Sequence, residues 1–89
     1  MTRTKQWSVD IVIDEHEETR RTRAEARLHT GDPTQVLGVG TSSRNPNDAE
    51  VPEIGDELAV ARALADLAEH LHTLARQDVA ANRDIGRGV

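Results

Sequence analysis

Apolar and polar side chains alternate along two segments near the start of the chain, residues 6–14 and 19–30. Strict alternation is the pattern of a strand that buries one face, because successive side chains point to opposite sides of a sheet. We therefore predict two antiparallel strands joined by the polar residues 15–18. Their shared apolar face consists of Trp7, Val9, Ile11 and Ile13 in the first strand and Thr22, Ala24, Ala26 and Leu28 in the second.

A third strand is predicted over residues 35–43, after residues 31–34, where glycine and proline favour a reversal of the chain. The loop lengths fix which residues lie opposite each other, because strand partners are counted outward from the turn. The expected pairs are Asp14–Thr19, Val9–Ala24, Asp10–Arg23, Leu28–Leu37, Ala26–Val39 and Arg21–Arg44.

Two glycines, Gly38 and Gly40, fall on the outer face of the sheet in this register, beside Arg27 and Glu25. Glycine weakens a strand because it has no side chain to pack. Two of them at alternate positions indicate either a bulge or bend at the sheet edge, or a place where a ligand approaches the backbone closely.

The second half of the chain predicts one long helix, which begins between Pro52 and Asp56 and ends near Ala81, after a polar connection at residues 44–52. Its apolar arc covers roughly 200° of the circumference, about twice what a three-stranded sheet covers. The uncovered half favours a second subunit. The predicted dimer interface consists of Trp7, Leu64, Leu67, Leu71 and Leu74, beside an alanine stripe formed by Ala61, Ala65, Ala68 and Ala75.

These elements predict an α+β domain, an antiparallel three-stranded β-meander with one long helix packed on one face. The domain spans residues 1–81, and residues 82–89 are expected to form a flexible tail. With 89 residues the chain has room for one small core, and such a domain is marginally stable by itself. Its size therefore also favours a homodimer.

Composition narrows the classes of function. The net charge is −5, and residues 48–84 carry three arginines against nine acids, which disfavours sequence-independent binding of nucleic acid. Trp7 is the only aromatic residue, so no platform for stacking bases is expected. The chain has no cysteine, no apolar signal segment and no run long enough to span a bilayer. We expect a cytoplasmic protein.

Catalytic chemistry is not indicated. The three serines stand in no nucleophile motif, and no phosphate-binding glycine loop is present. His70 and His72 point about 200° apart on the helix, so they cannot share one ion within a subunit. His16 lies in an acidic loop that would hold a cation weakly. We therefore expect no enzyme, no metal site, no cofactor and no small-molecule substrate.

The polar face of the second strand carries a row of arginines and provides the candidate binding site. One interpretation is a solvated surface on which Arg23 pairs with Asp10, and Arg27 with Glu25 or a neighbouring acid; such pairs contribute about 0–1 kcal/mol each. The other is a site for an anionic ligand, an RNA or an acidic protein. That site would consist of Arg21, Arg23, Arg27, Arg44, Gly38 and Gly40.

The chain also resembles a family of small actinobacterial proteins catalogued as a domain of unknown function. The resemblance spans about residues 5–80 and is carried by residues 5–16, 22–28, 37–40, 45–46 and 51–64. It implies a β-β-β-α domain, similar in fold to double-stranded RNA-binding domains, that tends to dimerise. Members have been linked to stress or dormancy and likened to ribosome hibernation factors. The resemblance implies no catalytic residue.

Two functions follow as expectations. The first is a non-catalytic binding or regulatory protein that associates with the ribosome or another RNA during stress. The alternative is a protein–protein adaptor or structural homodimer that binds no nucleic acid. The acids at the start of the helix, Glu53, Asp56 and Glu57, would repel phosphate, so an RNA would have to meet the outer face of the sheet.

Overall fold

The computed structural model describes residues 1–33, 35–44 and 51–87, with backbone only from residue 83 onward. Three strands precede one helix: β1 is Ser8–His16, β2 is Arg21–His29, β3 is Val36–Ser43 and α1 is Pro52–Arg87. The strands form one antiparallel sheet in the order β1-β2-β3. The predicted α+β meander with one long helix is confirmed. Helix α1 continues past the predicted end near Ala81, and the connection predicted around residues 45–50 lies outside the described residues.

The register between β1 and β2 differs from the prediction by four positions. Val9 lies opposite Leu28 instead of Ala24, and Asp10 lies opposite Arg27 instead of Arg23. The reason is the position of the turn: β1 runs on to His16, and the chain reverses within residues 17–20, two residues later than the predicted loop at residues 15–18. Arg20 takes a left-handed conformation there, with φ of 56°. A shift by an even number of positions leaves every side chain on its predicted face.

The register between β2 and β3 differs from the prediction by one position, and this difference places the side chains of β3 on the opposite faces of the sheet. Gly38 lies opposite Ala26, and Gly40 opposite Ala24, so both glycines are on the helix side of the sheet. Leu37 and Val39 take the outer face instead. A slip of one residue exchanges the two faces of a strand, so the predicted positions of Gly38 and Gly40 beside the arginines were wrong.

The helix itself explains why the glycines are needed. A Cβ atom on Gly38 would overlap the backbone of Ala63 and Leu67, and one on Gly40 would overlap the backbone of Ala59 and Ala63. The close approach is therefore made by α1. Small side chains line both sides of this contact, and the core that results consists of Ala24, Ala26, Leu28, Ala59, Ala63 and Leu67.

Helix α1 also closes one edge of the sheet. The Arg62 guanidinium donates to the carbonyl oxygen of Thr41 at 2.7 Å, and the N–H of Val39 donates to an Asp66 carboxylate oxygen at 2.9 Å. His70 Nδ1 lies 2.5 Å from the carbonyl oxygen of Leu37. These side chains satisfy backbone groups that an edge strand would otherwise leave open. The helix is thus displaced toward β3, and β1 is left uncovered.

Candidate functional site

The arginine row on the outer face of β2 is built around one carboxylate. Arg23 Nη1 lies 3.5 Å from Glu25 Oε2, and Arg27 Nε lies 3.2 Å from Glu25 Oε1. The hydrogen bond from Arg27 is the main cause that lowers the pKa of Glu25 below its ordinary value of 4.5. Two of the four candidate cations therefore have a partner within their own strand.

The acids of β1 on this outer face also balance its arginines. The predicted pair of Asp10 and Arg23 does not form, because the predicted register was wrong. The Asp10 carboxylate lies 2.8 Å from His29 Nε2 instead. Asp14 takes the position opposite Arg23. Three acids thus accompany Arg21, Arg23 and Arg27 on the outer face, and the described part of this face carries no excess of positive charge for a phosphate backbone.

A cavity of about 490 Å³ lies where the sheet ends and α1 begins. Arg20, Arg21 and Arg44 all line it, whereas Arg23, Glu25 and Arg27 do not. Arg44 does not lie opposite Arg21, which faces Ser43, but its N–H donates to the carbonyl oxygen of Arg20 at 3.0 Å. Glu15 and Glu17 line the same cavity, so its charge is mixed.

An exposed apolar strip lies on the helix side of β1. Val9, Ile11 and Ile13 lie opposite the buried residues of β2, yet their exposed fractions are 39%, 37% and 39%. The helix borders this strip with the flank opposite to the one that contacts β3. We name the combined surface the β1–α1 face; it consists of Val9, Ile11, Ile13 and Leu64, which are exposed, together with Val60 and Leu71, which are half-buried against the core.

The predicted dimer interface overlaps this face only in part. Leu67 is 4% exposed and belongs to the core of its own chain, so it is not available to a partner. Leu64 and Leu74 are 42% and 37% exposed, and Trp7, just before β1, is 56% exposed. Sequence periodicity groups Leu67 with the other leucines, because they share one helical stripe; it does not show which of them the sheet covers.

One end of the β1–α1 face carries a pair of carboxyl groups that sequence reasoning missed. A hydrogen bond to Asp56, followed by Coulombic repulsion from the same group, raises the pKa of Glu15 above its ordinary value of 4.5. Asp56 Oδ1 is buried and has no hydrogen-bond partner among the described residues. The two residues are far apart in sequence and meet only because α1 begins beside the end of β1.

Replacing Glu15 by Gln is expected to stabilise the fold at neutral pH. Because the folded pKa of Glu15 is raised, the pair contributes stability while the carboxyl is protonated, and this contribution is lost as the pH rises through the folded pKa. Thermal unfolding of E15Q and the native chain should therefore differ most at pH 7 and converge below the ordinary pKa of 4.5. E18Q, in the adjoining turn, is the control; an equal gain there would contradict the pairing.

The described residues form neither a metal-binding cluster nor a membrane-spanning helix. Within the described ranges, no group of three or more histidine or acidic side chains is arranged to hold a metal ion. No helix in the same part of the chain combines the length and the apolar character needed to cross a bilayer.

Comparison with known proteins places the chain in a family. The Rv2632c-like family model matches residues 5–86. MT1780 of Mycobacterium tuberculosis is 51% identical over 75 residues, which cover 84% of this chain and 77% of that protein. Rv2632c of the same species is 47% identical over 78 residues, covering 88% and 81% respectively.

A crystal structure of Rv2632c superposes with a TM-score of 0.81 at 46% sequence identity, covering 91% of this chain and 93% of that one. None of these names specifies a reaction, a ligand or a partner, so the similarity shows fold and family. The predicted resemblance to a small actinobacterial family is confirmed by these mycobacterial relatives. The chain belongs to the Rv2632c-like family.

Proposed function

We propose that the protein is a non-catalytic binding protein and that the β1–α1 face is the surface with which it binds another protein chain. One observation carries this proposal. The helix side of β2 is buried, with Ala24 and Ala26 at 0% exposure, whereas Val9, Ile11 and Ile13 on the same side of β1 stay exposed at 37–39%. A contiguous apolar strip of this kind on a small domain marks an interaction surface.

The chemistry of the strip supports a protein partner over a nucleic acid. Branched aliphatic side chains offer no hydrogen-bond donor to a phosphate and no ring to a base. The acids Glu15, Glu53 and Asp56 at one end of the strip repel a polyanion. An apolar segment of a folded partner would instead be stabilised by about 25 cal/mol for each Å² of apolar surface removed from water.

The second candidate is a stress- or dormancy-related protein that associates with the ribosome or another RNA. It is favoured by one observation, the meeting of Arg20, Arg21 and Arg44 at the cavity beside the start of α1. It is weakened by Glu15 and Glu17 in the same cavity and by the balanced charges on the outer face. We rank it second for that reason.

Adjacent residues of β1 provide a matched test. Ile11 and Val12 are both branched and similarly exposed, at 37% and 42%, but they point to opposite faces of the sheet. Tagged native chain, I11E and V12E would be compared in cell extracts by pull-down with nuclease treatment, together with a variant in which Arg21, Arg23, Arg27 and Arg44 are Gln. We expect capture of a protein to survive nuclease, V12E and the arginine changes, and I11E to reduce it at least about tenfold.

The opposite result in the pull-down would support RNA as the partner. Capture that is lost on nuclease treatment and in the arginine variant, while I11E keeps it, would overturn the protein-binding proposal and support the second candidate. Circular dichroism of each variant verifies that the fold is intact before the comparison is made.

A further inference from the structure

The sheet has two edges, and the helix closes only one of them. On β3, side chains of α1 bond to the backbone groups along the edge. The other edge is β1, which pairs with β2 alone. Within the described part of the chain, no residue bonds to the N–H and C=O groups on the outer side of β1. A row of open backbone groups of this kind is a template for another strand.

β1 lacks the features that usually prevent pairing at a sheet edge. Such edges are short, interrupted by a bulge, or carry proline or lysine. β1 has nine residues, and its register with β2 runs from Ser8 to His16 without a bulge. Its sequence contains no proline, glycine or lysine, and Val9, Ile11 and Ile13 stay exposed. The strand is thus long and regular enough to accept a neighbour along its whole length.

The charges of β1 determine which neighbour it accepts. Asp10, Asp14 and Glu15 give the strand three acids, and it has no Lys or Arg. Two β1 strands paired edge to edge would place the carboxylates of both strands side by side, and like charges across a strand pair are destabilising. A segment that carries lysine or arginine is attracted to the same acids.

The arginines of β2 do not cancel this attraction. Arg23 and Arg27 both bond to Glu25 on their own strand, and Asp14 has no ion pair among the described residues. A strand added to β1 would lie about 4.8 Å from β1 and about 10 Å from β2. The second distance exceeds the Debye length of about 8 Å at physiological ionic strength, so the added strand responds mainly to the acids of β1.

From these observations we propose that β1 accepts a fourth strand, an extended segment of another protein in which aliphatic residues alternate with lysine or arginine. The proposal rests on the proposed function, because it names the kind of segment that meets the β1–α1 face. The aliphatic side chains lie on the helix side beside Val9, Ile11 and Ile13, and the cations lie on the outer face beside Asp10 and Asp14. One alternating sequence therefore suits both faces.

A helix of the partner would match fewer of these features. It could cover the apolar strip, but its backbone groups are already bonded within the helix, so the edge of β1 would stay open. From the helix side it would also not reach the acids on the outer face of the sheet. An extended segment bonds to the edge with its backbone and contacts both faces with alternate side chains.

Titration with a synthetic peptide tests the charge of the segment. The probe is an acetylated and amidated peptide as long as β1, nine residues, in which valine and lysine alternate. Trp7 directly precedes β1 and is 56% exposed, so its emission reports binding. We expect saturable binding of this peptide and binding at least about tenfold weaker when glutamate replaces lysine.

Variants of the protein test which acids are responsible. Asp10→Asn combined with Asp14→Asn should weaken binding of the lysine peptide about fivefold, because both carboxylates lose their charge. Glu69→Gln combined with Asp78→Asn removes the same charge from exposed positions of α1 and should leave binding unchanged. Circular dichroism of both double variants verifies that the fold is intact.

Hydrogen exchange measured by NMR tests the backbone pairing. On an edge strand, the N–H groups of every second residue point to the open side. These N–H groups of β1 should exchange rapidly in the protein alone and at least about tenfold more slowly with the lysine peptide bound. A side-chain contact alone would not produce this alternating protection.

Four results would each overturn the proposal: no binding of the lysine peptide, equal binding of the glutamate peptide, bound peptide without alternating protection, or alternating protection of the open side in the protein alone. The proposed function has a separate test. If β1 gains no protection from the peptide while I11E still abolishes capture in the pull-down, strand addition is wrong and the β1–α1 face remains the binding surface.

Discussion

Alanine at Gly40 or Gly38 is expected to destabilise the protein by about 2–4 kcal/mol, a large fraction of the total for a small domain. A single methyl group at either position overlaps backbone atoms of α1, which cannot rotate away as a side chain can. The helix would have to lift from β3, and its bonds to the edge of that strand would lengthen together. Thermal unfolding should show a decrease of roughly 10–30 °C in Tm.

Gly55 provides the matched control for this prediction. A Cβ there meets the Thr22 hydroxyl at 3.3 Å, and that side chain can adjust. Alanine also favours the helix by about 1 kcal/mol relative to glycine, so G55A should be neutral or slightly stabilising. If G38A and G40A unfolded at the same temperature as G55A, the close contact between α1 and β3 would not hold the fold together.

The elements of the fold could be predicted because each of them is encoded locally. Alternation in residues 6–14 and 19–30 fixes the two faces of β1 and β2, and the apolar arc fixes the helix. The β1–β2 register was wrong because the four-residue turn lies at residues 17–20 instead of 15–18. Arg20 adopts a left-handed conformation in that turn, which its residue type does not signal. The predicted faces of β1 and β2 were nevertheless correct, because the register was wrong by an even number of residues.

The glycines of β3 could not be placed from sequence, because their reason lies elsewhere in the chain. Gly38 and Gly40 are required by the backbone of α1, which is far from β3 in sequence. The pattern does contain a signal in retrospect: Ala59 and Ala63, one helical turn apart, match two glycines at alternate strand positions. Small residues on both elements indicate a close contact between them. Read separately, the glycines suggested a ligand site.

The sequence predicted the arginine row as the candidate site, whereas we propose the β1–α1 face, and the reason for this difference also lies in other parts of the chain. Counting arginines on β2 indicates a cationic surface, but the effect of Arg23 and Arg27 depends on Glu25 between them and on the acids of β1. The position of the helix decides what remains exposed. Its displacement toward β3 combines the close contact at Gly38 and Gly40 with three polar contacts along that edge, and the apolar pattern of α1 does not predict the polar contacts.

Leu67 and Leu64 are two leucines one turn apart on α1, and they separate the core from the β1–α1 face that we propose as the binding surface. Leu67 is 4% exposed between the helix and the sheet, so L67A leaves a cavity and should cost about 2–4 kcal/mol of unfolding free energy. Leu64 is 42% exposed, and L64A should cost less than about 1 kcal/mol at low protein concentration.

Urea denaturation at low protein concentration measures both variants, and the concentration dependence of the midpoint adds a second readout. The sequence predicts a homodimer, and a partner that binds only the folded chain stabilises it by mass action, so the midpoint of the native protein is expected to rise with concentration. L67A should keep that rise from a lower starting point, whereas L64A should start near the native value and lose much of the rise. Equal effects of the two variants at low concentration would contradict the burial of Leu67, and an undiminished rise in L64A would remove Leu64 from the β1–α1 face.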